Sequence, residues 1–489
     1  MLVWRGRSMP WFGLALLPIL VSPAIWPDGE AGNPQLSREQ AKADLEDFRR
    51  RLLEVHPDPH RRATPTELDG QFERAIRDLP ESLSHDELYV TLAKIASRLG
   101  DSHTSVAPPR VDSELTLPFY VAAETVILAR DAGPLPAGSR VLRVDGYSVE
   151  AILNSIRPLA SAESAGAVDV VLPSLFAFGH RRFGASEKGA VLDAVTPEGT
   201  PLQVSLSRAD LDVENDNAVE SGFFPNGTVY LRVRTMAGSV REYRDFFRDF
   251  FAELERANAP GLIVDFRDND GGNTLVGQML LSYLTRRPYR IFGEKRWRVS
   301  TPMQHHMRDM GPWADRYCNA TPGEYIREVP PLEPPPPVEH RFRGPSVLLI
   351  GPRTRSAAMM TANAARDFDL LPVLGTPTTS PPNFFGESYR YDLPHSGLRV
   401  SISTAEFIRA NGDSADPGTV APHLEVPDRL GLVSVQDEVV SVALALIERH
   451  AELLAGGREG RNFEDSKPST PSIAESAGPQ PLAKRADFR

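Results

Sequence analysis

Two segments of the sequence place residue types suited to hydrolytic chemistry at the ends of predicted elements. Ser356 follows a buried strand and opens a helix, so it would lie at the carboxyl edge of a sheet beside helix amides that can hold an oxyanion. His103 follows the end of another helix, flanked by Asp101 and Ser102. A histidine within about 3 Å of a serine hydroxyl can act as its general base. A serine helix cap and a surface histidine are the alternatives that these local patterns leave open.

A third segment supplies the glycine pair Gly271 and Gly272 after the apolar strand 262–264 and an acidic turn. Paired glycines let a backbone approach a ligand closely and present its amides. The neighbouring carboxylates make a phosphate ligand unfavourable there, and an ordinary tight turn is the alternative.

Histidine pairs elsewhere do not indicate a metal centre. His56 and His60 are separated by prolines that prevent one helical face, and His305 with His306 lies in a polar segment. The single Cys318 excludes a disulfide framework and a cysteine cluster. The sequence therefore predicts neither a metal nor a cofactor.

The amino-acid composition excludes several classes of protein. The chain has 489 residues, 41% hydrophobic, with 54 basic against 65 acidic residues and a net charge of -11. This content supports packed cores and excludes wholesale disorder, collagen-like and coiled-coil classes. The acidic balance also argues against a nucleic-acid binder. Only six of the 54 basic residues are lysines.

The N-terminus is typical of a secretory signal peptide. A basic start, an apolar run from Met9 to about Ala24 and small residues at Ser22 and Ala24 predict a signal peptide over residues 1–31 and an exported protein, periplasmic or secreted. A membrane anchor is the alternative, but prolines interrupt a run shorter than the ~20 residues that a spanning helix needs. No later segment is apolar enough to span a bilayer. Residues 455–489 are predicted to form a disordered tail.

Three regions between these ends must position the candidate residues. Residues 35–110 predict three helices with capping boxes at Ser37, Thr64 and Ser84. Residues 115–210 predict short strands with a hairpin turn at Asp145 and a helix over 149–156. Residues 220–454 alternate strands and helices, which predicts an α/β layer with parallel strands.

Seven motifs follow one another along the chain. They are Asp101-Ser102-His103-Thr104, the Val141 to Gly146 segment, Asp265 to Gly272, Thr354 to Ala358, Gly375 to Thr378, Pro382 to Gly386 and Leu393 to Gly397. In this order they resemble the C-terminal processing (tail-specific) serine peptidases, and the histidine motif resembles the bacterial, tricorn-like branch. The resemblance covers most of residues 35–450 and implies a crotonase-like α/β catalytic core, a divergent PDZ-like domain over 115–210 and an N-terminal helical unit.

Lysine content separates the two catalytic arrangements of that family. One branch uses a lysine base about two dozen residues after the nucleophile. Here no lysine occurs between Lys295 and Lys467, and the equivalent neighbourhood reads Ser380-Pro381-Pro382-Asn383. The resemblance therefore implies the tricorn-like arrangement of serine, histidine and an acid.

On that mapping Ser356 is the nucleophile and His103 the base, while Ser102 orients His103 or links it to the acid. The amide of Ala357, with that of Gly271 or Gly272, would form the oxyanion hole. The acid is mapped to Asp416, with Asp413 as the second choice. The sequence departs from the family at Thr376, Met359 and His423, which affects the substrate channel rather than a catalytic atom.

The predicted function is that of an exported serine peptidase acting on peptides or polypeptides through an acyl-enzyme. The PDZ-like segment would bind an extended peptide by strand addition. A catalytically silent relative that binds a peptide or a hydrophobic small molecule is the alternative. An acyl-CoA enzyme would suit the fold but not the export signal.

Overall fold

The computed structural model describes residues 35–109, 118–122, 125–184, 189–207, 217–311, 314–427, 437–455 and 480–481. The predicted signal peptide and nearly all of the predicted tail lie outside the described residues. Within these ranges no helix combines the length and apolarity needed to cross a bilayer.

The elements follow in chain order as β1 (Gln35–Ser37), α1 (Arg38–Val55), α2 (Pro65–Arg77), β2 (Ser82–Ser84), α3 (His85–Ser97), β3 (Ser105–Val106), β4 (Phe119–Ala122), β5 (Thr125–Leu128), β6 (Arg140–Val144), β7 (Tyr147–Ser148), α4 (Val149–Ile156), a 3₁₀ turn (Arg157–Leu159), α5 (Ala165–Arg181), β8 (Gly189–Val195), β9 (Pro201–Ser207), β10 (Val219–Phe223), β11 (Val229–Val233), α6 (Val240–Arg256), β12 (Leu262–Asp265), α7 (Thr274–Leu284), β13 (Glu294–Arg298), α8 (Thr301–Met307), α9 (Asp315–Cys318), β14 (Tyr325–Glu328), β15 (Ser346–Ile350), α10 (Ser356–Asp367), β16 (Val373–Gly375), β17 (Phe384–Asp392), β18 (Arg399–Ile408), β19 (Leu424–Glu425), α11 (Glu438–Ala455) and β20 (Gln480–Pro481).

Helices α1, α2 and α3 begin at the capping boxes that the sequence predicts. In each box the cap hydroxyl accepts the backbone N–H three residues later, and the side chain there bonds back to the cap's own amide, which satisfies two otherwise unpaired donors. The pairs are Ser37 with Gln40, Thr64 with Glu67, and Ser84 with Glu87.

A seven-stranded sheet of order β19-β16-β15-β12-β11-β10-β20 forms the centre of the C-terminal half. The strands from β19 to β11 run parallel, as predicted, and β10 and β20 join antiparallel. Strand β12 is covered on both faces, with Ile263 packed on the side of α11 and Val264 on the side of α6, α7 and α10. Two covered faces require the continuous apolar run seen in its sequence. Because β12 and β15 are parallel neighbours, the loops after them meet at one edge.

A second sheet carries the segment that contains His103. Its order is β14-β13-β18-β17, and β3 pairs with β18 through Val106 opposite Val400 and Ser105 opposite Ser401. Strand β3 begins two residues after His103, so its pairing fixes the histidine segment against β18.

Residues 118–207 contain a third sheet, β4-β5-β6-β8-β9, with β7 paired to β6. Helix α4 has the bounds that the sequence predicts. The 17-residue helix α5 is a difference from the expected short strands. Its sequence has few polar residues and includes Pro173, so it lacks the alternating polar face from which helical periodicity is recognised.

One hydrophobic cluster joins the elements around the histidine segment. It includes Phe48 of α1, Leu92 of α3, Phe176 of α5 and Val400 of β18. The N-terminal helices, the third sheet and strand β18 are therefore packed on one another rather than each on a separate core.

Candidate active site

Ser356 lies at the sharp turn between β15 and α10. Its φ is 47°, in the left-handed region that residues other than glycine rarely adopt. Such strain persists where surrounding contacts impose it. Here the amide of Arg355 donates to the carbonyl of Asn269 at 2.9 Å, and the hydroxyl of Thr354 donates to the carbonyl of Phe266 at 2.8 Å. These bonds fasten the turn to the loop after β12.

The glycine pair lies directly against the Ser356 turn. Gly271 has a φ of 95°, and a Cβ added there would lie 2.7 Å from the Cβ of Ser356 and 2.8 Å from the amide nitrogen of Ala357. Gly272 has a φ of 137°, and its Cβ would lie 2.2 Å from the amide nitrogen of Ala237. Only glycine fits both the conformation and the space at these two positions.

The predicted oxyanion donors differ in what their amides already bind. The amide of Gly271 donates to Oδ1 of Asn269 at 2.8 Å, which occupies it. Within the described residues, the amides of Gly272 and Ala357 donate to no acceptor. The geometry therefore favours Gly272 over Gly271 as the partner of Ala357.

His103 lies beside Ser356 although 253 residues separate them in the chain, and its Nε2 is 3.3 Å from the Ser356 Oγ. The main chain of His103 is held at both ends, since its amide donates to Asp101 at 2.9 Å and its carbonyl accepts from the Ser401 hydroxyl at 2.9 Å. The ring also lies 5.6 Å from the ring of Phe384. These contacts place the imidazole where a general base for Ser356 must be.

Glu163 completes the arrangement on the other side of the ring. The Ser102 hydroxyl donates to Glu163 Oε1 at 2.7 Å and lies 3.4 Å from His103 Nδ1, and Ser380 donates to Glu163 Oε2 at 3.0 Å. The single hydroxyl proton of Ser102 is donated to the carboxylate of Glu163. The hydrogen bond between Ser102 and the imidazole therefore requires a proton on His103 Nδ1. Nε2 is then left as an acceptor towards Ser356.

Sequence reasoning mapped the acid to Asp416, with Asp413 as the second choice, but the contacts that the structure gives these two carboxylates do not include the histidine. The carboxylate of Asp416 pairs with Arg409 and accepts from the Gly418 amide, while that of Asp413 accepts from the Ala415 amide. Arg409 is buried and needs carboxylate partners, which accounts for the position of Asp416. Glu163, which no sequence motif singled out, takes the place beside Ser102.

The electrostatic surroundings keep His103 neutral. Burial lowers its pKa below the ordinary 6.5, the negative charges of Asp101 and Glu163 oppose this shift, and Arg355 and Arg390 add to it. Neutral imidazole is the form that can accept a proton.

Asp101 is a fully buried carboxylate that supports the histidine segment. It accepts from Ser403 at 2.6 Å and contacts Nε2 of His56 at 3.2 Å. Burial raises the pKa of Asp101, but the hydrogen bond and charge of His56 outweigh it and the net shift is downward. His56, noted in the sequence for its metal-ligand type, thus serves as a partner of Asp101.

Asp101, His103 and Glu163 also lie close enough together to hold a metal ion, with ligand atoms within 4.8 Å of one another. Both carboxylates already accept hydrogen bonds from protein donors. A metal would have to displace these donors, so the residues fit a hydrogen-bonded relay better than a metal centre.

A serine in a strained turn at a helix start, with a histidine at its Oγ and an acid behind it, defines the site of a serine-type hydrolase on a mixed α/β fold with several sheets. Residues 227–426 match the sequence model of Peptidase family S41, so this part of the chain is similar to that family of peptidases. The matched region contains Ser356 and the glycine pair, whereas His103 and Glu163 lie before it.

Two solved structures of CPAF share the fold at low sequence identity. A mutant form of CPAF has a TM-score of 0.62 at 16% identity, over 84% of this chain and 98% of that one. Mature CPAF complexed with lactacystin has a TM-score of 0.57 at 16% identity, over 86% and 98%. The photosystem II D1 C-terminal processing protease has a TM-score of 0.47 at 16% identity, over 84% and 98%.

Proposed function

We propose that this chain is an exported serine peptidase that hydrolyses peptide bonds through an acyl-enzyme, with Ser356 as nucleophile, His103 as base and Glu163 acting through Ser102. The observation that carries the proposal is the 3.3 Å separation of His103 Nε2 and Ser356 Oγ. The match of residues 227–426 to a peptidase family supports a peptide substrate.

In the first half-reaction the Ser356 oxygen bonds to the carbonyl carbon while its proton passes to His103 Nε2. The amides of Gly272 and Ala357 hold the negative oxygen that forms. When the intermediate collapses the C–N bond breaks, and His103 returns the proton to the departing amine. A water molecule repeats the sequence on the acyl-enzyme, which releases the acid product and free Ser356.

Ser102 and Glu163 act on this cycle through the ring. Glu163 fixes the Ser102 hydroxyl as an acceptor towards Nδ1–H, which keeps Nε2 unprotonated before attack. Its charge then stabilises the imidazolium once the proton has arrived.

Among the residues that the structure describes, no lysine is seen to contact Ser356. Lys295, the last lysine before the long lysine-free interval, pairs its ammonium group with Glu387 and lies over the ring of Trp297 at 3.8 Å. A histidine base thus agrees with both the composition and the packing.

The finer architecture and the location belong to the same proposal. We infer a crotonase-like core over 220–454 from the parallel sheet and the meeting of its loops at Ser356, an N-terminal helical unit over 35–110, and a PDZ-like domain over 115–210 from the antiparallel sheet there. The basic and then apolar N-terminus supports residues 1–31 as a signal peptide and an exported, periplasmic or secreted protein.

Labelling with a fluorescent fluorophosphonate tests the proposal, because this reagent forms a covalent bond with an activated serine. Wild-type protein is expected to be labelled, and Ser356→Ala is expected to be unlabelled. The matched control is Ser388→Ala, which removes another serine near His103 and should keep the label. If wild type is unlabelled, the chain is a binding protein of the same fold instead, and if Ser356→Ala is labelled equally, Ser356 is not the nucleophile.

The pH dependence of labelling reports on His103. The pKa of His103 is lowered below 6.5, so the base is neutral above that value and becomes protonated only as the pH falls through the lowered pKa. The labelling rate is therefore expected to be level from pH 8 to pH 7 and to fall on the acid side with an apparent pKa below 6.5. A midpoint above 6.5 in a series of buffered rate measurements would contradict this placement of the ring.

A further inference from the structure

A surface cavity of about 670 Å³ lies between α2 and the end of α3, apart from Ser356. None of its lining residues belongs to the Ser356 site. The polar side chains around it are those of Arg62, Thr66, Glu67, Gln71, Arg74 and Arg98. Its volume lies in the range of small-molecule sites in proteins, which runs from about 300 to 1,000 Å³.

The cavity wall carries an uncompensated positive charge. Arg62, Arg74 and Arg98 are exposed, and within the described ranges no carboxylate lies in salt-bridge distance of any of them. Most other surface arginines of the N-terminal helices are paired, as Arg49 is with Asp69 at 2.7 Å. The chain has a net charge of -11, so three such guanidinium groups give this cavity a charge opposite in sign to that of the whole chain.

The one carboxylate in the wall is already occupied. Glu67 accepts hydrogen bonds from the amide and the hydroxyl of Thr64, both at 2.8 Å, as part of the capping box of α2. These bonds lower the pKa of Glu67. Its Oε2 is thus engaged in the first turn of α2, and its single negative charge does not balance three guanidinium groups.

Arg62 is held in place before any ligand arrives. Its Nη2 donates to the carbonyl of Glu163 at 2.7 Å, and its Cδ lies 2.5 Å from where a Cβ of Gly100 would be. The glycine, with a φ of 61°, allows the arginine stem to lie directly on the main chain. A fixed cationic group loses less freedom on binding than a mobile one, which favours affinity.

We propose that this cavity is a binding site for an anionic ligand that carries a carboxylate or phosphate group. Guanidinium groups bind both through paired, charge-assisted hydrogen bonds. The first turn of α2, which contributes Thr66 and Glu67, adds the partial positive charge of a helix start. The ligand is a phosphate-bearing small molecule or an acidic stretch of peptide, and the site exists independently of peptide hydrolysis at Ser356.

Isothermal titration of the full chain tests the site with two probes, inorganic pyrophosphate and a tetraglutamate peptide, on a Ser356→Ala background so that the peptide is not consumed. At least one probe is expected to bind with one-to-one stoichiometry. The double variant Arg74→Gln/Arg98→Gln is expected to weaken that binding at least about tenfold, because it removes charge-assisted hydrogen bonds. Binding of pyrophosphate alone assigns a phosphate ligand, and binding of the peptide alone assigns a carboxylate ligand.

The matched control is Arg241→Gln/Arg244→Gln, which removes two exposed arginines from α6 and lowers the net charge equally. Its affinity for the probe is expected to remain within about twofold of the parent, since only general charge changes. The proposal is overturned if neither probe binds, if the cavity variant binds as well as the parent, or if the control loses as much affinity. Unfolding midpoints of the variants confirm that each is folded.

Discussion

Replacing His103 with alanine is expected to lower kcat about 10⁶-fold, and replacing Ser356 with alanine is expected to have an effect of the same size. The two residues act as one unit, because the Ser356 oxygen attacks only while Nε2 removes its proton across 3.3 Å. The double variant is therefore expected to be no slower than either single variant. Hydrolysis of a quenched fluorescent casein, followed with high enzyme concentration, measures all three.

A matched histidine variant makes this result specific. His305→Ala alters an exposed histidine on α8 and is expected to retain kcat within about twofold, as surface substitutions usually do. Additive losses in the double variant, or a His103→Ala enzyme with more than a tenth of the wild-type rate, would show that another group removes the proton.

Replacing Glu163 with glutamine is expected to lower kcat by about 10²- to 10⁴-fold with little change in the stability of the fold. Glutamine keeps the size of the side chain but removes its charge and offers a donor to Ser102. The Ser102 hydroxyl can then turn its proton towards His103 Nδ1, which favours the tautomer with a protonated Nε2. That tautomer cannot accept the proton of Ser356.

The pH profile distinguishes this positioning role from a merely structural one. The negative charge of Glu163 raises the pKa of His103, so its removal is expected to move the acid limb of the rate profile to lower pH. Asp416→Asn provides the comparison, since Asp416 contacts Arg409 rather than the histidine, and its acid limb should remain where it is in wild type. If Asp416→Asn costs more activity than Glu163→Gln, the acid has been assigned to the wrong residue.

The structure brings together Ser356, His103 and the glycine pair, which the sequence singles out because each is tied to a local pattern. Ser356 stands where a buried strand gives way to a helix, and Gly271 stands where positive φ and close packing exclude every side chain. The capping boxes that start α1, α2 and α3 are local in the same sense, since donor and acceptor are three residues apart.

The acid that we propose, Glu163, could not be found in this way. Glu163 reaches Ser102 across 61 residues and Ser380 across 217, and it lies before a helix whose few polar residues hide its period. The mapping of Asp416 relied on the order of motifs, and a buried Arg409 with its own need for carboxylates produces the same local pattern. Contacts between distant segments, rather than residue types, decided which carboxylate faces the histidine.

The 253 residues between His103 and Ser356 also determine when this chain can first cleave anything. Asp101 and Thr104 form hydrogen bonds with Ser403 of β18. The segment that holds His103 is therefore complete only after about residue 408 has been synthesised. A growing or prematurely ended chain that stops before β18 has the nucleophile but lacks the strand that holds its base. Such an incomplete chain is therefore expected to be inactive.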